Sequence, residues 1–228
     1  MTYLSKSNLT AIFDVDGTLI DSMDAWRFAS KHYLASLGLS AGAVDTVKAF
    51  DSGGLRSACQ EIIKIYPQLG PHDRLADAIT MSMLPLYRHT LPAMPHANEF
   101  LKSLYQDGIS LNVLTSNLRE VIDPGLIRLE MRPFFSNILC CGEIKRAKEN
   151  TSAYTYCIQH LGITPERCVM FEDQPWAAAN AKAVGMRVVG VCKRAESMRW
   201  AELAEHCDLV ISDYAEVLEK YSKQTAPT

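Results

Sequence analysis

The chain has 228 residues, 48% hydrophobic and 21% charged, which is ordinary globular composition and enough for one core domain with an insert. A formal net charge of −3 gives no reason to expect nucleic acid or an anionic membrane as a partner. No apolar run approaches the length of a membrane span, and the polar N-terminus lacks a signal-peptide core. The seven cysteines include no Cys-x-x-Cys pair, which predicts reduced thiols. We therefore expect a cytoplasmic protein.

The first predicted element is a short apolar strand, Ala11-Ile12-Phe13, that runs into Asp14-Val15-Asp16-Gly17-Thr18. Side chains alternate along a strand, so Asp14 and Asp16 would project the same way, toward the crevice where open parallel sheets bind ligands. Unpaired carboxylates are costly to bury, so this pair needs a cation or a proton. A calcium loop would need more oxygen-bearing side chains than follow Gly17 here.

The next predicted elements are helices. Apolar residues at helical spacing predict helices over 24–37, 55–66 and 73 to about 87, with Pro85 expected to kink or shorten the third. The segment 91–95 contains two prolines and is expected to be an extended return linker. The sequence therefore predicts a small helical cap domain, residues 22–91, inserted into a core domain formed by residues 1–21 and 92–228.

Helices and strands alternate from Asn98 onward. Helices are predicted over 98–107, 121–129, 152–161 and 176–184, and strands over 109–114, 138–141, 168–171, 187–191 and 209–211. This alternation predicts an α/β fold: a Rossmann-like parallel sheet with helices on both faces. Cys140 and Cys141 would face opposite ways on a strand, so we expect neither a disulfide nor a shared metal site there.

Asp14-Val15-Asp16-Gly17-Thr18 resembles the first motif of the haloacid dehalogenase superfamily in its phosphatase branch. Within that branch, the chain looks like the β-phosphoglucomutase- and phosphoglycolate phosphatase-like members, which carry a helical cap after the first strand. The resemblance implies that Asp14 is the nucleophile and Asp16 the general acid/base. In the dehalogenase branch the second aspartate is absent, so Asp16 favours phosphoryl transfer.

Thr115 ends the next apolar strand and is similar to the second motif of the family, although a threonine there can also cap a helix. A phosphoryl group needs hydrogen-bond donors on its oxygens, which a hydroxyl and nearby backbone N–H groups provide. Ser116 and Asn117 would then offer further contacts to the substrate.

Lys148 resembles the lysine of the third motif, whose charge neutralises the nucleophile and the phosphate together. Lys145 and Arg146 are interpreted as a solvated surface. The assignment rests on Tyr154, six residues after Lys148 as in the family, whereas Glu149 replaces the usual proline.

The strand 169–171 runs into Glu172-Asp173, which is similar to the fourth motif but could also cap the following helix. More carboxylates near Asp14 would require a divalent cation. Mg²⁺ suits a site of carboxylates, water and phosphate. The implied ligands are Asp14, Asp173, the backbone carbonyl of Asp16, and Glu172 as a ligand or a partner of one. Ala177 stands where the family often has glycine.

The resemblance implies a Mg²⁺-dependent phosphatase that hydrolyses a small phosphorylated metabolite through an aspartyl-phosphate, as a monomer or weak homodimer. Cap residues near the entrance, Arg56 and Trp26, are candidates to bind the substrate, although each is also typical of a solvated surface or of cap packing. Arg56 follows Gly53-Gly54, a flexible stretch.

Three alternatives remain. A β-phosphoglucomutase-like phosphotransferase shares these motifs, but its members usually carry a histidine about where Trp26 falls. A phosphonate hydrolase would need a cap lysine, for which Lys48 is a candidate. A catalytically retired protein could bind a phosphorylated metabolite for regulation, although it would have no need of the pair Asp14 and Asp16.

Overall fold

The computed structural model describes residues 9–39, 50–193 and 195–218, and for residues 50–53 only the backbone. They form a six-stranded sheet in the order β3-β2-β1-β4-β5-β6, in which every pair of neighbours is parallel. The strands are β1 (Thr10–Phe13), β2 (Ser110–Thr115), β3 (Asn137–Cys140), β4 (Cys168–Glu172), β5 (Arg187–Val191) and β6 (Leu209–Ile211). The predicted α/β fold is confirmed, with β1 at the centre.

Both faces of this sheet are covered by helices. Phe13 and Phe171 belong to the cluster on one face, whereas Ile12 and Met170 belong to the cluster on the other, as alternation along a strand requires. The first face packs against α5 (Ala97–Gln106) and α6 (Arg119–Arg128), and the second against α8 (Ser152–Leu161), α9 (Pro175–Ala183) and α10 (Ser197–His206). Buried strands therefore read as continuous apolar runs.

The residues between β1 and α5 form helices and no strand within the described ranges 23–39 and 50–89. The helices are α1 (Met23–Ser36), α2 (Phe50–Ile65), α3 (His72–Ser82) and α4 (Leu84–His89). The first three enclose a cluster of their own that includes Leu34, Ile62 and Ile79. Pro85 stands in the first turn of α4, and the predicted third helix is shortened, because α3 ends at Ser82.

Helix α4 packs against the core on one face of the sheet and is not part of that cluster. Tyr87 is fully buried in the core with Met83 and Leu91. Helices α1 to α4 are called the insert below. The segments that enter and leave the insert meet, because Ile20 bridges Ala93 and the Asp21 N–H donates to the carbonyl of Pro92 at 2.9 Å. The division into a cap of residues 22–91 and a core stays a prediction.

Some local expectations need correction. Helices α7 (Cys141–Ile144) and α10 had no counterpart in the sequence prediction, and α6 contains Pro124 in its interior. All seven cysteines lie in the described part of the chain, and all are free thiols, as predicted. Lys48 lies outside the described residues, so the structure says nothing of its role. None of the helices described is long and apolar enough to cross a membrane.

Phe13 at the centre of the sheet provides a test of this core. Its ring is fully buried and stacks on Phe171 with centroids 4.5 Å apart. We expect Phe13→Ala to lower the free energy of unfolding by about 3–5 kcal/mol, because it removes apolar contacts and leaves a cavity. Urea unfolding followed by circular dichroism measures the change. Phe28 is 70% exposed, so Phe28→Ala is the matched control; an equal loss in both variants would contradict this account of the core.

Candidate active site

The predicted site residues converge at the carboxyl ends of the central strands. Asp14 directly follows β1, Thr115 ends β2, and Glu172 ends β4, with Asp173 next in the chain. The backbone N–H of Asp14 donates to the carbonyl of Phe171 at 3.0 Å, so the β1–β4 pairing extends to the site. All four side chains are buried. A parallel sheet gathers these strand ends at one edge, where such folds bind ligands.

Lys148 supplies a buried positive charge at this edge. Its Nζ lies 2.8 Å from Asp14 Oδ1 and 2.6 Å from Glu172 Oε2. Burial alone would lower the pKa of Lys148, but Asp14 and Glu172 raise it well above its usual range, so the ammonium group stays charged. Asn180 on α9 donates to the Lys148 carbonyl at 3.0 Å and ties the lysine's loop to that helix.

The three acidic side chains Asp14, Glu172 and Asp173 place one carboxylate oxygen each within 4.8 Å of one another. Burial raises the pKa of Asp14 to about 7, against the attraction of Lys148. Burial, Glu172 and Asp14 raise the pKa of Asp173 well above its ordinary value. A buried set of carboxylates with excess negative charge and oxygen-only donors fits a hard divalent cation such as Mg²⁺.

Gly17 lets the chain turn immediately above this cluster. It adopts φ +74°, and a Cβ there would lie 2.5 Å from Asp173 Oδ2. A side chain at this position would therefore meet both backbone strain and a clash with a candidate metal ligand. This accounts for the glycine that follows the two aspartates.

Asp16 has a different environment from Asp14. Its Oδ1 accepts hydrogen bonds from Ser22 Oγ at 2.6 Å, from Trp26 Nε1 at 2.8 Å, and from the Tyr87 hydroxyl. Its Oδ2 accepts one from Asn117 Nδ2 at 2.9 Å. Donors on both oxygens fix the orientation of this carboxyl group, as a proton-transferring group requires.

The residues after β2 contribute differently from one another. Thr115 Oγ1 accepts a hydrogen bond from the Asn117 N–H at 3.0 Å, which forms a tight turn after the strand. Asn117 is buried and contacts Asp16, whereas Ser116 is exposed. The sequence analysis interpreted Asn117 as a substrate contact. In the structure, its side-chain amide donates a hydrogen bond to the carboxyl group of Asp16.

A cavity of about 540 Å³ opens above these residues, between the sheet edge and the helices of the insert. Trp26 and Arg56 both line it, as do Lys145 and Arg146, which were interpreted as a solvated surface. Arg56 forms ion pairs with Asp73 and with Asp77, the latter at 3.0 Å, so its charge is already balanced within the insert. Trp26 contacts Asp16 directly, which sequence reasoning did not anticipate.

Sequence reasoning missed several residues that the fold brings to the site. Arg199 on α10 lies 3.6 Å from Asp173 Oδ2, and Gln174 Nε2 donates to the same oxygen at 2.6 Å. Ser22 and Tyr87 contact Asp16. Ser22, six residues after Asp16, could have been found as a polar residue at the start of a helix. No local sequence pattern marks Tyr87 or Arg199 as a site residue, because each lies in a helix without a recognisable motif.

The fold and this site define the class of protein: a Rossmann-like α/β protein with two aspartates after its central strand and a buried lysine beside the first. The chain belongs to the haloacid dehalogenase-like hydrolase family, whose model matches residues 11–191.

Two curated relatives and one solved structure illustrate the similarity. Hexitol phosphatase B of Escherichia coli (strain K12) is 26% identical over 188 residues, 80% of this chain and 83% of the relative. Fructose-1-phosphate phosphatase YqaB of the same organism is 26% identical over 181 residues, 79% and 94% of the two chains. CbbY from Rhodobacter sphaeroides, solved in complex with phosphate, superposes with a TM-score of 0.74 at 20% identity, covering 91% of this chain and 95% of that one. At that identity the superposition shows the fold alone.

The raised pKa of Asp14 predicts how metal-free stability depends on pH. The unfolded carboxyl group loses its proton near pH 4 and the folded one near pH 7, so the folded state holds the extra proton and is destabilised as the pH rises between them. We expect Asp14→Asn to be more stable than the native protein at pH 8 in a chelator, by on the order of 2 kcal/mol.

Urea unfolding at pH 4.5 and pH 8 measures this difference, which should shrink at the lower pH. Asp24→Asn, whose side chain is 77% exposed, is the matched control and should change the free energy of unfolding by less than about 1 kcal/mol. A stabilisation by Asp14→Asn that is equal at the two pH values would show that the charge of Asp14 is not its source.

Proposed function

We propose that this protein is a Mg²⁺-dependent phosphatase that hydrolyses a small phosphorylated metabolite, a phosphate monoester, through an aspartyl-phosphate on Asp14. The observation that carries the proposal is the pairing of two differently held aspartates. Asp14 is buried against the Lys148 ammonium group, whereas the Asp16 carboxyl group, two residues on, is held by four neutral donors. Nucleophile and acid/base need such contrasting environments.

Asp14 and Lys148 carry the first step. An Asp14 carboxylate oxygen attacks phosphorus, and the bond from phosphorus to the ester oxygen breaks. The Lys148 ammonium group favours the ionised form of Asp14 and neutralises charge on the transferring phosphoryl oxygens. Thr115 and Ser116, which line the same cavity as Asp14, would supply hydroxyl and backbone N–H donors to those oxygens.

Asp16 carries the proton in both steps. Its protonated carboxyl group gives a proton to the leaving ester oxygen, which departs as an alcohol. The resulting carboxylate then takes a proton from a water molecule, whose oxygen attacks phosphorus. The bond between phosphorus and Asp14 breaks, inorganic phosphate is released, and both aspartates return to their starting states. Such proton transfer contributes about 10²–10⁴ in rate.

Mg²⁺ would be held by Asp14 and Asp173, with Glu172 as ligand or as partner of a ligand, and with the backbone carbonyl of Asp16. When bound, it supplies positive charge that offsets repulsion between the Asp14 carboxylate and the phosphate. The close approach of three buried carboxylates supports this assignment.

Residues 22–91 would serve as the cap. Their helices cover the cavity from the side opposite the strand ends, and Trp26 and Arg56 line it. We propose that these two residues border the leaving group, while the cap excludes bulk water from the reacting atoms. Arg56 forms ion pairs with Asp73 and Asp77, so its own charge is already balanced and does not favour a second phosphate on the leaving group.

The relatives support the reaction class. The curated relatives described above are phosphatases named for a hexitol phosphate and for fructose 1-phosphate. A mutase is the less favoured alternative, because the indole N–H of Trp26 donates to Asp16 and cannot accept a proton from a substrate hydroxyl. The contacts of Asp14 with Lys148 disfavour a retired binding protein. A cytoplasmic location, with the seven thiols reduced, completes the proposal.

The test is release of inorganic phosphate from p-nitrophenyl phosphate and from a panel of hexitol phosphates, fructose 1-phosphate and phosphoglycolate, with Mg²⁺ and with a chelator. We expect Mg²⁺-dependent release that Asp14→Asn lowers by at least about 10³-fold, because the nucleophile is lost. Asp24→Asn, an exposed aspartate, is the control and should retain activity. Release that persists in Asp14→Asn, or is absent from the native protein on every ester, would overturn the proposal.

A further inference from the structure

Tyr87 is a fully buried tyrosine whose hydroxyl lies among the partners of Asp16. Trp26 Nε1 lies 3.2 Å from this hydroxyl oxygen and Asn117 Nδ2 lies 3.1 Å from it. An indole N–H and an amide NH₂ can only donate hydrogen bonds. The Tyr87 oxygen therefore accepts from both, and its own proton has Asp16 Oδ1 as its partner.

The same reasoning indicates which Asp16 oxygen can carry a proton. Oδ1 accepts from the Tyr87 hydroxyl, from Ser22 Oγ and from Trp26 Nε1, whose single N–H is shared with Tyr87. A carboxyl oxygen that accepts this many donors has no lone pair left for a proton of its own. Oδ2, by contrast, accepts a single side-chain hydrogen bond among the described residues, from Asn117 Nδ2, and so has room for a proton.

We propose that Tyr87 is a positioning residue for the general acid/base: its hydroxyl commits Asp16 Oδ1 to accepting hydrogen bonds, so that the proton passed to the leaving group is carried on Oδ2. The inference rests on the proposed function, since it assigns Asp16 the proton transfer. It adds a residue from the far end of the insert, 71 positions along the chain, to the control of that step.

The surroundings of Tyr87 hold it in this position. A Cβ on Gly125 of α6 would lie 2.9 Å from Tyr87 Cδ1, so the ring occupies the space that the glycine leaves. Arg128, one turn further along α6, donates from Nε to the Tyr87 carbonyl at 3.0 Å and from its guanidinium to the carbonyl of Leu91. Ring and backbone are thus both fixed by one core helix.

The test compares two kinds of leaving group. p-Nitrophenolate leaves without protonation, whereas an alkoxide needs the proton from Asp16. For Tyr87→Phe we expect kcat/KM on an alkyl phosphate to fall about 10- to 100-fold, within the range of general acid catalysis. On p-nitrophenyl phosphate it should change by less than about 2-fold, because kcat/KM there reports a step without proton transfer.

Two further variants separate positioning from packing. Tyr214→Phe is the matched control, because Tyr214 is equally buried and its hydroxyl donates to the Thr18 carbonyl at 3.1 Å; its loss should leave the ratio of the two kcat/KM values unchanged. Gly125→Ala retains the Tyr87 hydroxyl but displaces the ring, so it should lower the alkyl phosphate rate selectively, as Tyr87→Phe does. Thermal unfolding of each variant establishes that it is folded at the assay temperature.

The outcomes separate a failure of the role inferred for Tyr87 from a failure of the proposed phosphatase function. If the native protein hydrolyses no ester with Mg²⁺, both fail. If the native protein is active and Asp16→Asn is not, but Tyr87→Phe keeps the native ratio of alkyl to p-nitrophenyl rates, the positioning role alone is overturned. It is also overturned if Tyr214→Phe changes that ratio as much as Tyr87→Phe. A selective loss in Tyr87→Phe and Gly125→Ala supports it.

Discussion

The ion pairs of Lys148 with Asp14 and Glu172 are the interaction on which the rest of the site depends. They place one buried ammonium group among three buried carboxylates. Without it, the carboxyl groups would take up protons, since burial already raises the pKa of Asp14 and Asp173. With it, Asp14 can be ionised close to neutral pH. Removing Lys148 would leave these buried carboxyl groups without the ammonium group, which is far more damaging than the net contribution of the ion pairs to stability suggests.

The sheet explains how these charges come together. Strands β1, β2 and β4 are adjacent and parallel, so residues far apart in sequence finish at one edge. The insert then adds Ser22, Trp26 and Tyr87 from above, all on the same oxygen of Asp16. Two aspartates separated by one residue thus have opposite surroundings: Asp14 faces ions, and Asp16 faces neutral donors.

The sequence predicted the sheet well, because apolar runs that alternate with segments of helical spacing are local signals. The acidic pairs 14/16 and 172/173 were found because each follows an apolar strand. Helix α10 was missed because Met198, Trp200 and Leu203 are interspersed with charged residues, and only Leu203 is fully buried. Tyr87, Arg199 and the ion pairs of Arg56 were beyond reach, since each depends on how the insert and α10 pack against the site. These contacts come from the tertiary packing of helices, which local sequence patterns do not reveal.

The meeting of the two connections at Ile20 and Ala93 has a consequence for how the chain folds. The insert has a cluster of its own, around Leu34, Ile62 and Ile79, and its entry and exit points are joined by hydrogen bonds. Pairing β1 with β2 then closes a short loop, and the entropy lost on closure depends on that shorter effective length. The insert thereby carries Tyr87 and Trp26 to Asp16 with little added burden on assembly of the sheet.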